Sequence, residues 1–279
     1  MIQMERNLVV EKIDKVTALS LIFANHYSKI MPRLTDHYLG GFLDGKLVGV
    51  ITLGWGVRPV HTIKKLFPTL EREQYYEIGK MCMLESMPKN SESIFLSRTI
   101  RWLKENTSIK VLYTWADGVL GKPGYVYQSA NFLYGGYIWT DLYLTAEGEK
   151  VHPRTSQGIT NRTSKRAAGI KVGHRPTKEF LKKNKWSHYR GKQFRYCYFI
   201  CDKREQKALL KSSLVTWSRK YPKQNDLEWT IQDLDTGDWS PAPPMKYNAE
   251  TGNKNNATVQ TNTTKVNVYN KAKEFFELY

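Results

Sequence analysis

The chain has 279 residues, 41% hydrophobic and 13% aromatic, enough to bury a substantial core in one main domain with an appendage. No apolar run reaches the roughly 18 residues that cross a bilayer. The opening "MIQMERNLVVEK" carries charges where a secretion signal needs an apolar core, so the sequence reads as a cytoplasmic protein with no membrane partner. Its +17 net charge and three cysteines argue against a disulfide scaffold and for an anionic partner.

In chain order, "LVVEKI" reads as a strand, and Asp14 caps a helix from Lys15 to about Tyr27, with Val16, Leu19, Ile22 and Phe23 at helical spacing. "HYLGGFLDGKLVGVITLGW" reads as two strands joined at Asp44-Gly45, a strong hairpin signal. "YYEIGKMCML" is a further strand, and "NSESIFLSRTIRWLKEN" a helix opened by Asn90 or Ser91. "IKVLYTWAD" is a buried strand, "GYVYQSANFLY" a short helix and "GYIWTDLYLT" another strand. The order β, α, β, β, β, α, β, α, β predicts a mixed α/β sheet with helices on its faces.

Between Pro153 and Lys223 there are 20 Lys and Arg against three acids, Glu179, Asp202 and Glu205, so this stretch alone carries +17 and the rest is neutral. Charge so concentrated is the footprint of a nucleic-acid partner, although a solvated basic face around core aromatics has the same composition. "KKNKWSHYRGKQFRY" interleaves cations with Trp186, Tyr189, Phe194 and Tyr196. Cys197 and Cys201, spaced Cys-x3-Cys near His188, fall on one face of a strand and read as buried thiols rather than a zinc site. After Lys223, "SPAPP" and the Asn/Thr-rich stretch 248–270 look like a linker, ending in the aromatic "NKAKEFFELY".

The order of elements is similar to a GNAT-type N-acetyltransferase. Locally, "NHYSKIMP", "LVGVITLGWGVRP", "EIGKMCML", "KNSESIFLSRTIRWLK", "YTWADGVLGKPGYVYQSANFLYGG" and "FRYCYF" with "YPK" resemble, in order, the Mom family of phage DNA-modification proteins over about residues 1–223. The resemblance implies a GNAT-like catalytic core (1–152), a basic nucleic-acid-binding segment completing the domain (153–223) and an extension (224–279). It also implies an enzyme converting adenine in double-stranded DNA to a carbamoylmethyl (acetamido) adenine, shielding phage DNA from host restriction nucleases.

That chemistry gives roles to particular residues. The adenine amino group is a poor nucleophile and must lose a proton as its new bond forms; a carboxylate at a strand's carboxyl end, Asp117, suits the task. Asp117-Gly118 is also an ordinary turn pair. His26 and Tyr27, ending the first helix, would border the acceptor, or simply cap that helix; Glu77 would be a second base or metal ligand, or pair with Lys80. Asp36 and His37 are weaker candidates. Tyr38, Trp115, Tyr125 and Tyr127, with Tyr134, would line a pocket for a flipped base. Ser91, Ser93, Lys89 and Arg98 would meet the anionic part of a donor at a helix start. No glycine lies between Gly79 and Gly118, so the usual coenzyme A loop is missing; the cofactor is unknown, with acetyl-CoA, a related acyl donor, or an iron-assisted step compatible. Arg154, Arg162, Lys165, Arg166 and Arg175 would meet phosphates. A homodimer is compatible with all of this. An adenine methyltransferase is excluded by the lack of its cofactor loop and acidic Pro-Pro-aromatic motif. An acetyltransferase acting on a protein or small-molecule amine, and a non-catalytic DNA-binding protein, are the competing classes.

Overall fold

The computed structural model describes residues 7–28, 31–32, 34–56, 59–151 and 175–245. Among these, ten strands form one mixed sheet. Its main order is β1 (Leu8–Lys12), β2 (Thr35–Leu43), β3 (Lys46–Gly54), β4 (Tyr75–Met83), β5 (Val111–Ala116), β8 (Ser187–Phe199), β6 (Leu133–Leu144) and β7 (Lys150–Val151). β9 (Trp229–Gln232) pairs with β8, and β10 (Trp239–Ala242) with β9. The helices are α1 (Lys15–Asn25), α2 (Pro59–Leu66), α3 (Ser91–Asn106), α4 (Tyr125–Ser129), α5 (Lys178–Lys183) and α6 (Lys203–Ser212). This is the mixed α/β architecture expected of a GNAT-like chain.

Local chemistry accounts for the first half. The Asp14 carboxylate accepts from the Thr17 N–H at 2.9 Å and caps α1. The β2–β3 hairpin turns on Asp44 and Gly45, both at positive φ, as a two-residue turn of matching twist requires. Helix α1 lays Ala18, Leu21 and Ile22 on Val50. On the other face, α3 contributes Phe95, Leu96, Ile100 and Leu103 to a core with Leu39, Ile51, Leu53, Ile78 and Leu112.

The feature that positions the site is a parting of strands. β4 and β5, the one parallel pair, are in register only over Tyr75–Glu77 and Val111–Tyr113. Beyond that point β4 stays with β3 as far as Met83, while β5 pairs with β8 as far as Ala116. A cleft of about 1590 Å³ opens between the carboxyl ends of the two strands.

Several expectations are corrected. Helix α1 stops at Asn25, where His26 turns to extended backbone. Helix α3 is preceded by Asn90 in the left-handed conformation with no side-chain cap. The strand expected at Gly136 begins at Leu133, so the preceding helix is a single turn. Cys197 lies in β8 and Cys201 just past its end; both are free, as is Cys82. "SPAPP" is not wholly linker, since Ser240–Ala242 lie in β10. Helices α2, α5 and α6 and strands β7 and β9 were not expected. Residues 246–279, with the expected Asn/Thr-rich stretch and aromatic terminus, lie outside the described residues.

Gly118 is needed for close approach rather than for a turn. A Cβ there would strike the Lys192 carbonyl oxygen and lie 2.6 Å from the Phe194 ring, because the 3-10 turn Gly118–Leu120 sits directly on β8. The Gly118→Ala variant is therefore expected to lose about 1–3 kcal/mol, as overpacked sites do, in urea unfolding monitored by circular dichroism.

Candidate active site

Asp117 follows the last residue of β5 and faces the cleft. Tyr113, Trp115 and Asp117 alternate onto one face of the sheet, the face that Glu77 shares by its register with Tyr113. Both Asp117 oxygens are held. Gln193 Nε2 on β8 donates to Oδ1 at 2.9 Å, and the Tyr27 hydroxyl donates to Oδ2 in a short hydrogen bond. Tyr27 reaches across 90 positions of sequence because α1 ends at the cleft rim.

The Tyr27 ring is itself fixed. His26 stacks on it with centroids 4.3 Å apart, and the Lys122 ammonium lies 3.9 Å from its centre on the turn after β5. His26 is 6% exposed; its backbone N–H caps α1 through the Ile22 carbonyl, and the Ser28 N–H donates to its Nδ1 at 3.0 Å. Burial depresses the pKa of Lys122, against the pull of Asp117 and then Glu92. The result is a tyrosine–carboxylate pair at a cleft wall with an ammonium over the ring.

Glu77 sits where β4 and β5 part, and Gly56, at positive φ, brings backbone against its carboxylate too closely for any side chain. Among the described residues the buried hydroxyls of Tyr75 and Tyr113 meet no hydrogen-bond partner, and the charge of Glu77 adds to the burial that raises both their pKa values. Lys80, the expected partner of Glu77, donates to the Ser28 hydroxyl at 2.9 Å.

Of the expected base-pocket residues, Trp115, Tyr125 and Tyr127 line the cleft. Burial, then the opposing hydrogen bond with Thr114 and the charge of Asp117, leaves the Tyr127 hydroxyl at about 12. Tyr38 does not line the cleft; it packs against the α1 cluster. Tyr134 lies against Phe194 and Tyr196 in the core. Asp36 and His37 also point elsewhere, meeting the Tyr76 hydroxyl at 2.6 and 3.2 Å.

At the start of α3, Lys89 and Ser93 line the cleft. Ser91 is fully buried and turns its hydroxyl back to the Pro88 carbonyl, and Arg98, two turns in, is not among the lining residues. Glu92 lines the same wall and opposes a second negative charge there. Among the described residues no group of three or more His, Cys, Asp or Glu could hold a metal ion. No helix of the described residues is long and apolar enough to cross a membrane.

Arg154, Arg162, Lys165 and Arg166 lie outside the described residues. Arg175 is described, and it is committed to an acid: its guanidinium pairs with Asp141. Asp141, 8% exposed, also accepts from Arg190 Nε at 2.7 Å and lies 3.1 Å from His188 Nε2. Lys182 pairs with Asp235, and Lys192 with Glu228 at 2.5 Å. Part of the basic stretch is thus neutralised by acids from elsewhere in the chain, which a count along the sequence could not reveal.

Sequence reasoning missed Gln193, Lys122 and Asp141. Gln193 and Asp141 lie on strands that meet their partners only in the folded sheet, and no local signal marks them. Lys122 was within reach, since it lies in the quoted "ADGVLGKPGY" loop.

Burial works against ionisation of Asp141, but hydrogen bonds from His188 and Arg190 and the charge of Arg175 outweigh it and hold its pKa well below the usual carboxylate range. A folded-state pKa below the unfolded value stabilises above about pH 4 and is lost as pH falls from there toward the folded value. Replacing Asp141 by Asn should cost about 2 kcal/mol at neutral pH, less than a fully buried pair because two of its cations are partly exposed. Acid titration of unfolding stability should also fall less steeply in the variant below about pH 4.

The model of the Mom protein family matches residues 7–223. The chain is 29% identical over 205 residues to "Methylcarbamoylase mom" of Escherichia phage Mu, covering 73% of this chain and 80% of that protein. Among solved structures, an acetyltransferase of the GNAT family from Streptococcus pneumoniae covers 70% of this chain and 99% of its own at 11% identity and a TM-score of 0.36. A spermidine N-acetyltransferase from Vibrio cholerae covers 70% and 96% at 8% identity and the same score. With more than three quarters of its length inside the family model, this chain belongs to the Mom protein family.

Proposed function

We propose that the protein is a transferase that attaches a carbamoylmethyl group to adenine in DNA, so that restriction nucleases no longer recognise it. The observation that carries this reading is the Tyr27–Asp117 hydrogen bond at the wall of a cleft large enough for a base and a donor together. Family membership and the printed name of the phage Mu relative support the group transferred.

The adenine amino group shares its lone pair with the ring, so its attack must be coupled to loss of a proton. To enter a cleft between the ends of two central strands the base has to leave the duplex, and Trp115, Tyr125 and Tyr127 offer faces on which it can stack. As nitrogen bonds to the electrophilic carbon of the donor, the leaving group takes the bonding electrons and an N–H proton passes to the Tyr27–Asp117 pair. Tyr27 and Gln193 fix the carboxylate in one orientation, which removes the reorganisation a free carboxylate would need. The Lys122 ammonium stabilises negative charge appearing on Tyr27. His26 acts by orientation, through its stack on Tyr27. Glu77, which also lines the cleft, would take the proton onward.

The donor belongs on the α3 side. Lys89, at the helix start, would hold an anionic group of a donor whose methylene carbon bears the leaving group, since attack on the carbonyl of an acyl-CoA would give an amide instead. Among the described residues no cluster of three or more His, Cys, Asp or Glu is present to hold iron.

Nucleosides from DNA of cells making the protein, analysed by mass spectrometry, should contain a heavier adenine. The Asp117→Asn variant should reduce that product by about a hundredfold or more while retaining DNA binding. Because Tyr27 and Asp117 act as a unit, Tyr27→Phe combined with Asp117→Asn should lose little beyond Asp117→Asn alone. Unmodified DNA with folded, DNA-binding protein would instead support a non-catalytic DNA-binding role.

Arg154, Arg162, Lys165 and Arg166 are proposed as phosphate contacts. Replacing two of them with Ala should reduce the slope of log affinity against log salt by about 1.8, and an unchanged slope removes them from the footprint.

A further inference from the structure

On β6, Tyr137, Ile138 and Trp139 are three consecutive large apolar side chains exposed at 42%, 38% and 42%. Successive strand residues face opposite sides, so both faces of β6 are open at this point. One edge of the strand is paired with β8; on the other, β7 pairs only with Tyr143 and Leu144. Among the described residues, then, the outer edge at Tyr137–Trp139 has no partner strand. A bare edge with a run of large apolar residues invites association, and it is retained where a partner uses it.

The ridge adjoins the site. Ile138 and Trp139 line the cleft, and Ile138 is directly opposite Gln193, the residue that holds Asp117. The Tyr137 and Trp139 rings meet edge-on at 6.1 Å, and the Lys192 ammonium lies 4.6 Å from the centre of Tyr137. Arg195 is anchored by the carbonyls of Gly135 and Tyr137, which fix its guanidinium beside the ridge without cancelling its charge.

We infer that the Tyr137–Trp139 ridge stacks on DNA bases beside the acceptor cleft, filling the space that an extruded adenine leaves in the duplex. The inference rests on the reading of this cleft as acting on DNA adenine and adds the surface that holds the duplex open. Flat apolar base faces match aromatic side chains whatever the sequence, and side-chain wedges of this kind offset the cost of unstacking. The Arg195 guanidinium suits a flanking phosphate, whereas Lys192 is buried and paired with Glu228.

The test is fluorescence anisotropy of the full-length protein with a labelled duplex and with the same duplex carrying one abasic site. The unmutated protein should bind the abasic duplex about tenfold more tightly, since one stacking contact is already unobstructed. Combining Tyr137→Ala with Trp139→Ala should abolish the preference while intact duplex is bound within about twofold, because phosphate contacts dominate that affinity. Tyr137→Phe with Trp139→Phe should restore the preference. A preference surviving the alanine changes, or absent from the unmutated protein, overturns the inference. So does sedimentation showing a dimer that the alanine changes split, which would assign the ridge to contact between two copies. If the unmutated protein binds neither duplex, the DNA reading fails with it; if the abasic preference is present but no modified adenine forms in cells, only the catalytic reading fails.

Discussion

A carboxylate is useful as a proton acceptor only if something keeps it at the right place without burying it. Here the constraint is the parting of β4 and β5 after Glu77, which leaves the end of β5 at an open cleft instead of inside a continuous sheet. Asp117 inherits its position from that end. Tyr27 and Gln193 then approach from α1 and β8, so three elements distant in sequence converge on one side chain. Each contact is modest alone, since a single hydrogen bond contributes about 1 kcal/mol net, but together they remove the rotational freedom of the carboxylate.

The electrostatics of the molecule have two distinct parts. Around Asp141, opposite charges are gathered tightly and their effect is spent on holding β6 and β8 in place together with the chain at Arg175. Around the cleft, the charges of Lys80, Lys89 and Lys122 stand near those of Glu77, Glu92 and Asp117 within one open space. The first arrangement stabilises the fold; the second lines the cleft with charges of both signs.

The sequence was legible wherever the signal was local. Asp14 as a cap and Asp44-Gly45 as a hairpin turn depend on neighbours within a few positions and appear as expected, whereas of the apolar period of α1 Leu19 and Ile22 are buried but Val16 is exposed. Asp117, Tyr27 and Trp115, marked in the sequence by a strand end, a helix end and a family pattern, come together at the cleft. Tyr38 failed because alternation along β2 directs it to the α1 side of the sheet, away from the cleft. Ser91 failed because its hydroxyl is used within its own turn, on the Pro88 carbonyl. Gln193 and Asp141 had no local signal, and only the pairing of β8 with β5 and β6 gives them meaning.

The short β9–β10 hairpin lies beyond the residues that the family model covers, yet it pairs with the amino-terminal half of β8. Trp229 donates through Nε1 to the Val119 carbonyl at 2.9 Å, inside the turn that follows Asp117, and Glu228 holds Lys192 one residue from Gln193. The limit of shared ancestry and the limit of the folding unit therefore fall at different places in this chain. The segment after Lys223 forms part of the wall behind the turn that follows Asp117, so a fragment trimmed to residues 7–223 would lack a support that its own sequence gives no hint of needing.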